Sequence, residues 1–228
     1  MSPVTEIATL TLKPGTDVKS GEGAKVIESA LGTIARQPGY QRCYLGTQVE
    51  KPNVLNMFID WDSLDSHKDF MSHPTDYKPM VTALQPLLFQ PPSFQHVPFA
   101  GSLAPVLSAP VTEILIFYFP THDLSEHDRA AFEDTFSDYA ITLSKNAEGN
   151  HGVRGGWTVD EVQHKSCVRE GVKEEEGPAR CFVGVSGWES REAHAQYRET
   201  KAGKDMMRDL RDEARAVDVC HVELKQHQ

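Results

Sequence analysis

The tetrapeptide Val-Thr-Glu-Ile occurs at Val4–Ile7 and again at Val111–Ile114, and this internal duplication constrains the fold more than any other feature of the chain. A strand-like run follows each copy, ATLTLKPGTD and LIFYFPTHD, and each ends in a proline and then an aspartate, Asp17 and Asp123. A second pair of strings repeats in the same order. FIDWDSLDSHKDF around Trp61 and VSGWESREAHAQY around Trp188 both read W-[DE]-S-x3-H-x2-[FY]. The first pair is offset by 107 residues (4 to 111) and the second by 127 (61 to 188), so the second copy is the longer. The excess falls mostly around VDEVQHKSCVREGVKEEEGPAR.

Hydrophobic periodicity gives the same element order in both copies. In the first, Val4–Leu12 alternates and is rich in Thr and aliphatic residues, which predicts a strand. Val26, Ala30 and Ile34, with Ile27, Leu31 and Ala35, recur at i and i+4 and predict an amphipathic helix stopped by Pro38-Gly39. Tyr40–Glu50 and Val54–Trp61 predict a strand pair about a Lys51-Pro52-Asn53 turn. Ser63 is a natural N-cap for a helix to about Met71. A shorter helix to about Leu84 and a last strand, Phe94–Phe99, complete the copy. The second copy runs Val111–Phe119, a helix opened by a capping box from Ser125 to Asp128, the strands His151–Val162 and Cys181–Trp188, a helix capped by Ser190, and Val217–Leu224.

The expected fold class is therefore α+β, two tandem ferredoxin-like β-α-β-β-α-β repeats. Residues 1–100 form the first repeat, 101–110 an Ala/Ser/Pro linker, and 111–228 the second. Each four-stranded sheet has helices on one face only, and its bare face must be covered. Two copies suggest sheets packed together, or joined at their edges into a barrel, as a pseudo-dimer within one chain.

Charge narrows the partners. Lys plus Arg number 23 against 33 Asp plus Glu, a net −10 that disfavours nucleic acid and anionic membranes. No run approaches the roughly 20 apolar residues of a spanning helix, and the start lacks a secretory leader, so a cytoplasmic protein is expected. Cys43, Cys167, Cys181 and Cys220 show no C-x-x-C spacing and are expected as free thiols. No Gly-rich phosphate loop or nucleophile elbow is present, so no cofactor is expected.

The strand openings at Val4 and Val111, Pro38-Gly39-Tyr40, and above all Asp60-Trp61-Asp62-Ser63 and Gly187-Trp188-Glu189-Ser190 resemble the dimeric α/β-barrel superfamily, in particular its antibiotic-biosynthesis-monooxygenase-like (ABM-like) domains. The resemblance spans the whole chain as two units. It implies a pocket between each sheet and its helices, lined by the tryptophan that ends the third strand. It also implies chemistry on a small aromatic or polyketide-like molecule, by a cofactor-free monooxygenase, a cyclase or an isomerase. Haem-degrading relatives carry a His about ten residues beyond that tryptophan. Met71 and Arg198 stand there, so haem is not implied.

Within that frame His67, His194 and His151 are the candidate bases, because an imidazole titrates near neutrality. The competing reading for His67 and His194 is a ring packed on Trp61 or Trp188 and hydrogen-bonded to backbone. Trp61, Trp157, Trp188 and Tyr44 are candidate aromatic walls. Arg42 and Arg154, aligned as equivalents on the second strands, are candidate anion holders. Gly155-Gly156 beside Trp157 suggests that something packs closely there. His151, Trp157 and the glycine pair occur in one copy only, which places the main site in the second half, with His194 or His151 as base and His67 serving stability. His164, Cys167, Glu161 and Cys181 lack recognised zinc spacing, so no metal site is expected. The stretch Val159–Ala179 is expected to be a mobile charged excursion. The expected partner is a small molecule bound by a monomer or homodimer. A non-catalytic binding or interaction protein of the same fold is the alternative.

Overall fold

The structure is a computed structural model, and it describes residues 2–227. It is α+β, and each repeat builds the elements its pattern predicts. The first contains β1 (Val4–Thr11), α1 (Gly21–Ala35), β2 (Tyr40–Thr47), β3 (Val54–Trp61), α2 (Leu64–Ser72), α3 (Tyr77–Leu84) and β4 (Ser93–Val97). A one-turn helix, α4 (Ala104–Leu107), lies in the connecting segment. The second repeat contains β5 (Val111–Pro120), α5 (Glu126–Asn146), β6 (Asn150–His164), β7 (Gly177–Trp188), α6 (Arg191–Glu199), α7 (Lys201–Glu213) and β8 (Ala216–Val222), and a two-residue strand, β9 (Lys225–Gln226), follows. Strand order is β4-β1-β3-β2-β9 in one sheet and β6-β7-β5-β8 in the other. Both contain the ferredoxin-like order, and neither closes a barrel among the described residues. No described helix is long and apolar enough to cross a membrane.

Local chemistry explains the boundaries. Ser63 and Ser190 cap α2 and α6 by accepting from the backbone N–H of Ser66 and Ala193, each at 3.1 Å. Ser125 and Asp128 form both bonds of the capping box that opens α5. Gly39 and Gly149 turn the chain into β2 and β6 at φ +86° and +76°. A Cβ on Gly39 would lie 2.5 Å from Ser66, so glycine is required there for backbone angle and for closeness.

The chain divides into two units at boundaries that differ from the expected ones. Residues up to Pro98 join those from Glu223 onward, because β9 pairs with β2 through Tyr44↔Gln226 and Leu45↔Lys225. Phe99–Val222 form the other unit, so the expected linker belongs to the second half, where Val106 and Leu107 of α4 are buried.

The alignment of Arg42 with Arg154 is corrected by strand register. Arg42 faces Asp60 and Tyr44 faces Phe58, whereas Arg154 faces Val185, the counterpart of Phe58. Both second strands carry a bulge at their start, between Tyr40 and Arg42 and between Asn150 and Gly152. Arg154 is thus equivalent to Tyr44, and Gly152 to Arg42.

The expected charged excursion is also shorter than predicted. β6 runs to His164 and β7 begins at Gly177, with Cys167 buried between them and Ala179 buried at the start of β7. His164 stacks on Tyr118 with ring centroids 3.9 Å apart. Apolar anchors thus tie down both ends, and only Arg169–Glu176 is continuously exposed. Limited trypsin digestion is expected to cut first after Arg169 or Lys173. Earlier cleavage within α1 or α5 would contradict this.

Candidate functional site

Cross-strand pairing places two of the three groups of a polar cluster side by side. Glu6 on β1 faces His96 on β4, and Glu113 on β5 faces His221 on β8. One turn into the capped helix, His67 and His194 come down onto these pairs. His67 Nδ1 lies 2.7 Å from His96 Nε2, and its Nε2 lies 3.3 Å from Glu6 Oε2. His194 repeats this at 2.8 Å to His221 Nε2 and 3.2 Å to Glu113 Oε1. All six side chains are buried. His67 stacks on Trp61 at 5.0 Å and 22°, and His194 lies on Trp188 at 4.7 Å and 37°. The histidines therefore pack on the tryptophans as the competing reading supposed, but they bond side chains.

The set works as a chain of hydrogen bonds. A carboxylate accepting from His67 Nε2–H leaves Nδ1 to share a proton with His96, and the same holds for Glu113, His194 and His221. At Glu113, burial pushes the carboxyl pKa up. The hydrogen bond and charge of His194, the Ser186 hydroxyl and the charge of His221 outweigh it and hold the pKa below the usual value. Two histidines and a glutamate are also a donor set used for zinc and for non-haem iron. Both triads bring ligand atoms within 4.8 Å of one another. However, the middle histidine turns opposite ring nitrogens to its two neighbours, whereas one ion needs a single nitrogen from each residue aimed at a common point. The geometry is that of a relay. His164, Cys167, Glu161 and Cys181 form no such group among the described residues.

The two copies differ in what surrounds the relay. In the first half the Trp61 indole N–H donates directly to Glu6 Oε2 at 3.0 Å. In the second, Ser186 stands where the first half has Ile59. It accepts from Trp188 at 2.8 Å and donates to Glu113 at 2.9 Å. Above Glu6 and His67 an apolar cavity of about 60 Å³ remains open, walled by Ala30, Ile34, Met57, Trp61, Tyr77 and Leu84 among others. One water takes up about 10–15 Å³ on that scale, so the space admits a few waters or one flat ring. Burial and the charge of Glu6 raise the Tyr77 phenol above its ordinary pKa.

In the second half aromatic side chains occupy the corresponding core. Phe136 lies 4.7 Å from Phe182 and Trp157 lies 5.3 Å from Phe182, centroid to centroid. A Cβ on Gly155 would come within 2.4 Å of Phe136, and one on Gly184 within 2.7 Å. The close packing expected beside Gly155-Gly156 is real, but its partners are Phe136 and Phe182 from the protein's own core.

The remaining expected site residues disperse. Trp157 belongs to the aromatic core. The His151 side chain is 39 % exposed and pairs with Glu189 at 2.9 Å, away from the relay. Arg42 and Tyr44 alternate with Cys43 and Leu45, which pack with the helices, so both point to the other face of the sheet, where Arg42 pairs with Asp60. Arg154 bonds the carbonyl of Val153. Glu6, Glu113, His96 and His221 were not anticipated. Their signal was present: Glu6 and Glu113 lie inside the repeated tetrapeptide, and a His-Val pair recurs at His96-Val97 and His221-Val222, in the last strand of each copy.

No family model matches the sequence, and no curated protein matches it. Solved structures share its fold along the whole chain. An anthrone oxidase-like protein is 13% identical at a TM-score of 0.66, covering 99% of this chain and 94% of that one. A provisionally named monooxygenase from Fusobacterium nucleatum is 9% identical at 0.63, covering 100% and 94%. Another from Lactobacillus acidophilus is 11% identical at 0.59, covering 100% and 97%. The fold is thus the tandem one that these solved structures share along their length.

Two outcomes follow from this packing. Gly155→Ala is expected to cost about 1–3 kcal/mol in denaturant unfolding, the usual scale of core overpacking. A change within about 0.5 kcal/mol would show that Phe136 has room to move. For Glu113, a depressed pKa means its contribution is present above about pH 4.5 and lost as pH falls through the folded value. Wild type should therefore exceed Glu113→Gln in stability at about pH 7, and the gap should shrink below about pH 4.5. A pH-independent gap would contradict an ionised Glu113.

Proposed function

We propose that this chain, with its tandem ABM-like fold, is a cofactor-independent monooxygenase, and that its working site is the first-half cavity. The observation that carries this reading is that a buried Glu-His-His relay borders open apolar space in one half, at Glu6 and His67, while side chains fill that place in the other. The substrate is a neutral aromatic or polyketide-like molecule with an acidic O–H or a doubly activated methylene. It lies against Trp61 with that group toward Glu6 and His67.

The Glu6–His67 pair takes up the proton as a unit. Passing charge to His96 spreads it over two imidazoles, and the Trp61 ring face favours a cationic His67. The apolar walls of Met57, Ile34 and Leu84 exclude water and strengthen these interactions. The substrate carbanion then reduces dioxygen, the co-reactant. For an activated methylene the step balances as follows: the methylene carbon loses both hydrogens and forms a carbonyl with one oxygen atom. The second oxygen atom takes those two hydrogens and leaves as water. The substrate is thus oxidised by four electrons and one dioxygen is fully reduced. A cyclase or isomerase would use the same deprotonation without dioxygen. The names of the neighbouring folds support oxygenation over these.

Oxygen uptake with an activated cyclic ketone or phenol tests the reading. His67→Ala and Glu6→Gln are each expected to lower turnover about a hundredfold, the scale for losing a general base. His194→Ala, corrected for any loss of folded protein, should leave turnover within about threefold. Activity lost with His194 and retained without His67 would move the site to the second half and end this proposal.

A further inference from the structure

The second half shows what the first-half cavity is shaped to hold. The buried residues of α1 that wall the cavity, Ile27, Ala30 and Ile34, have the same spacing as Phe136, Tyr139 and Leu143 on α5. Ala30 therefore corresponds to Tyr139. At Ala30 the chain leaves open space beside Glu6. At Tyr139 it buries a phenol at the equivalent helix position. Burial first, and then the charge of Glu113, push the Tyr139 hydroxyl well above its ordinary pKa, so that hydroxyl lies within electrostatic range of the second relay. The protein thus uses a neutral p-alkylphenol in one half as the plug for a cavity it leaves empty in the other.

The charge of the cavity points the same way. Among the described residues its only ionisable lining groups are Glu6, His67 and Tyr77. No described Lys or Arg lines it, and Glu6 already neutralises any positive charge on His67. An anionic ligand would be desolvated here with no cation to receive it.

We infer that the first-half cavity binds an uncharged, single-ring phenol in the place of a Tyr139 side chain, its hydroxyl toward Glu6 and His67, and rejects carboxylates of the same size. Ala30 sets the size limit by being small. Glu6 sets the charge limit. The inference rests on the reading that the first-half cavity is the working site, and it narrows the substrate from an aromatic or polyketide-like molecule to a single-ring phenol.

Calorimetric titration of the full-length protein with p-cresol, and with p-toluate as its anionic counterpart, tests this without turnover. Wild type should bind one p-cresol and bind p-toluate at least about tenfold more weakly, the preference narrowing in Glu6→Gln. Ala30→Tyr should lose p-cresol binding while keeping its melting temperature. Because that ring can overfill the site, Ala30→Leu is measured beside it and should weaken binding at least about tenfold. Tyr139→Ala should gain a second p-cresol site, with a melting temperature that rises on adding p-cresol, since apolar cavities of ring size accept such ligands. Unchanged p-cresol affinity in folded Ala30→Tyr or Ala30→Leu, or equal affinity for p-toluate, overturns the inference. If oxygen uptake is absent while these binding results hold, the oxygenase reading fails and the phenol site stands.

Discussion

A buried carboxylate is the constraint on which each half depends. Glu6 and Glu113 sit in the middle of a strand, enclosed by apolar side chains, where an uncompensated charge would cost several kcal/mol. Each is stabilised by a helix histidine that meets it directly, by a last-strand histidine bonded to that one, and by the Trp61 N–H or the Ser186 hydroxyl. That requirement ties β1 to β4 and α2, and β5 to β8 and α6, and these elements are distant in sequence. It also explains the serine caps. Ser63 and Ser190 fix where the helix starts, and four residues later the imidazole must meet the carboxylate within 3.2–3.3 Å. A helix starting one residue later would swing that ring about 100° around its axis.

Because the relay serves the fold, finding it twice does not mean two active sites. What differs is the layer above it. The second half replaces Leu10 by Phe117, Leu12 by Phe119, Ile27 by Phe136 and Ala30 by Tyr139, in strand register or helical spacing, and removes side chains at Gly155 and Gly184 to admit them. Phe132, Phe136, Trp157 and Phe182 then meet at tilted and edge-on angles, the arrangement that aromatic quadrupoles favour. Replacing Ile59 by Ser186 lengthens the path from tryptophan to glutamate by one hydroxyl.

These mechanisms also mark how far the sequence could be read. Strands, caps and the repeat were legible because they are local: alternation in Val4–Leu12, Ser-x-x at the helix starts, a capping box in four consecutive residues. Trp61, Trp188, His67 and His194 were legible as a cluster because they share one short string. Glu6 was printed in the repeated tetrapeptide but read as strand pattern, since a lone glutamate signals chemistry only when its cross-strand neighbour is known. His96 and His221 needed that same pairing. The Arg42–Arg154 alignment failed by two residues, a slip that keeps the same sheet face and so leaves the alternation of side chains unbroken. The glycines beside Trp157 were read correctly as a close approach. Assigning that space to a ligand failed because the occupant, Phe136, comes from a helix whose phase against the strand is not written locally.

The same comparison gives physical weight to the emptiness of the first half. A void of about 60 Å³ forfeits about 1.5 kcal/mol of packing at about 24 cal/mol per Å³. The fold already contains a remedy, since the second half buries a tyrosine at the Ala30 position and seats Phe136 against Gly155 and Gly184. The cavity is therefore not forced by the ferredoxin-like topology, by the relay or by the tryptophan, all of which the filled half retains. It lies directly against the buried carboxylate and imidazole on the helix side of that sheet, where water or a ligand would restore some of the lost contacts. A cost that the architecture can avoid, placed beside a buried polar chain able to move a proton, is the physical ground on which the proposed site rests.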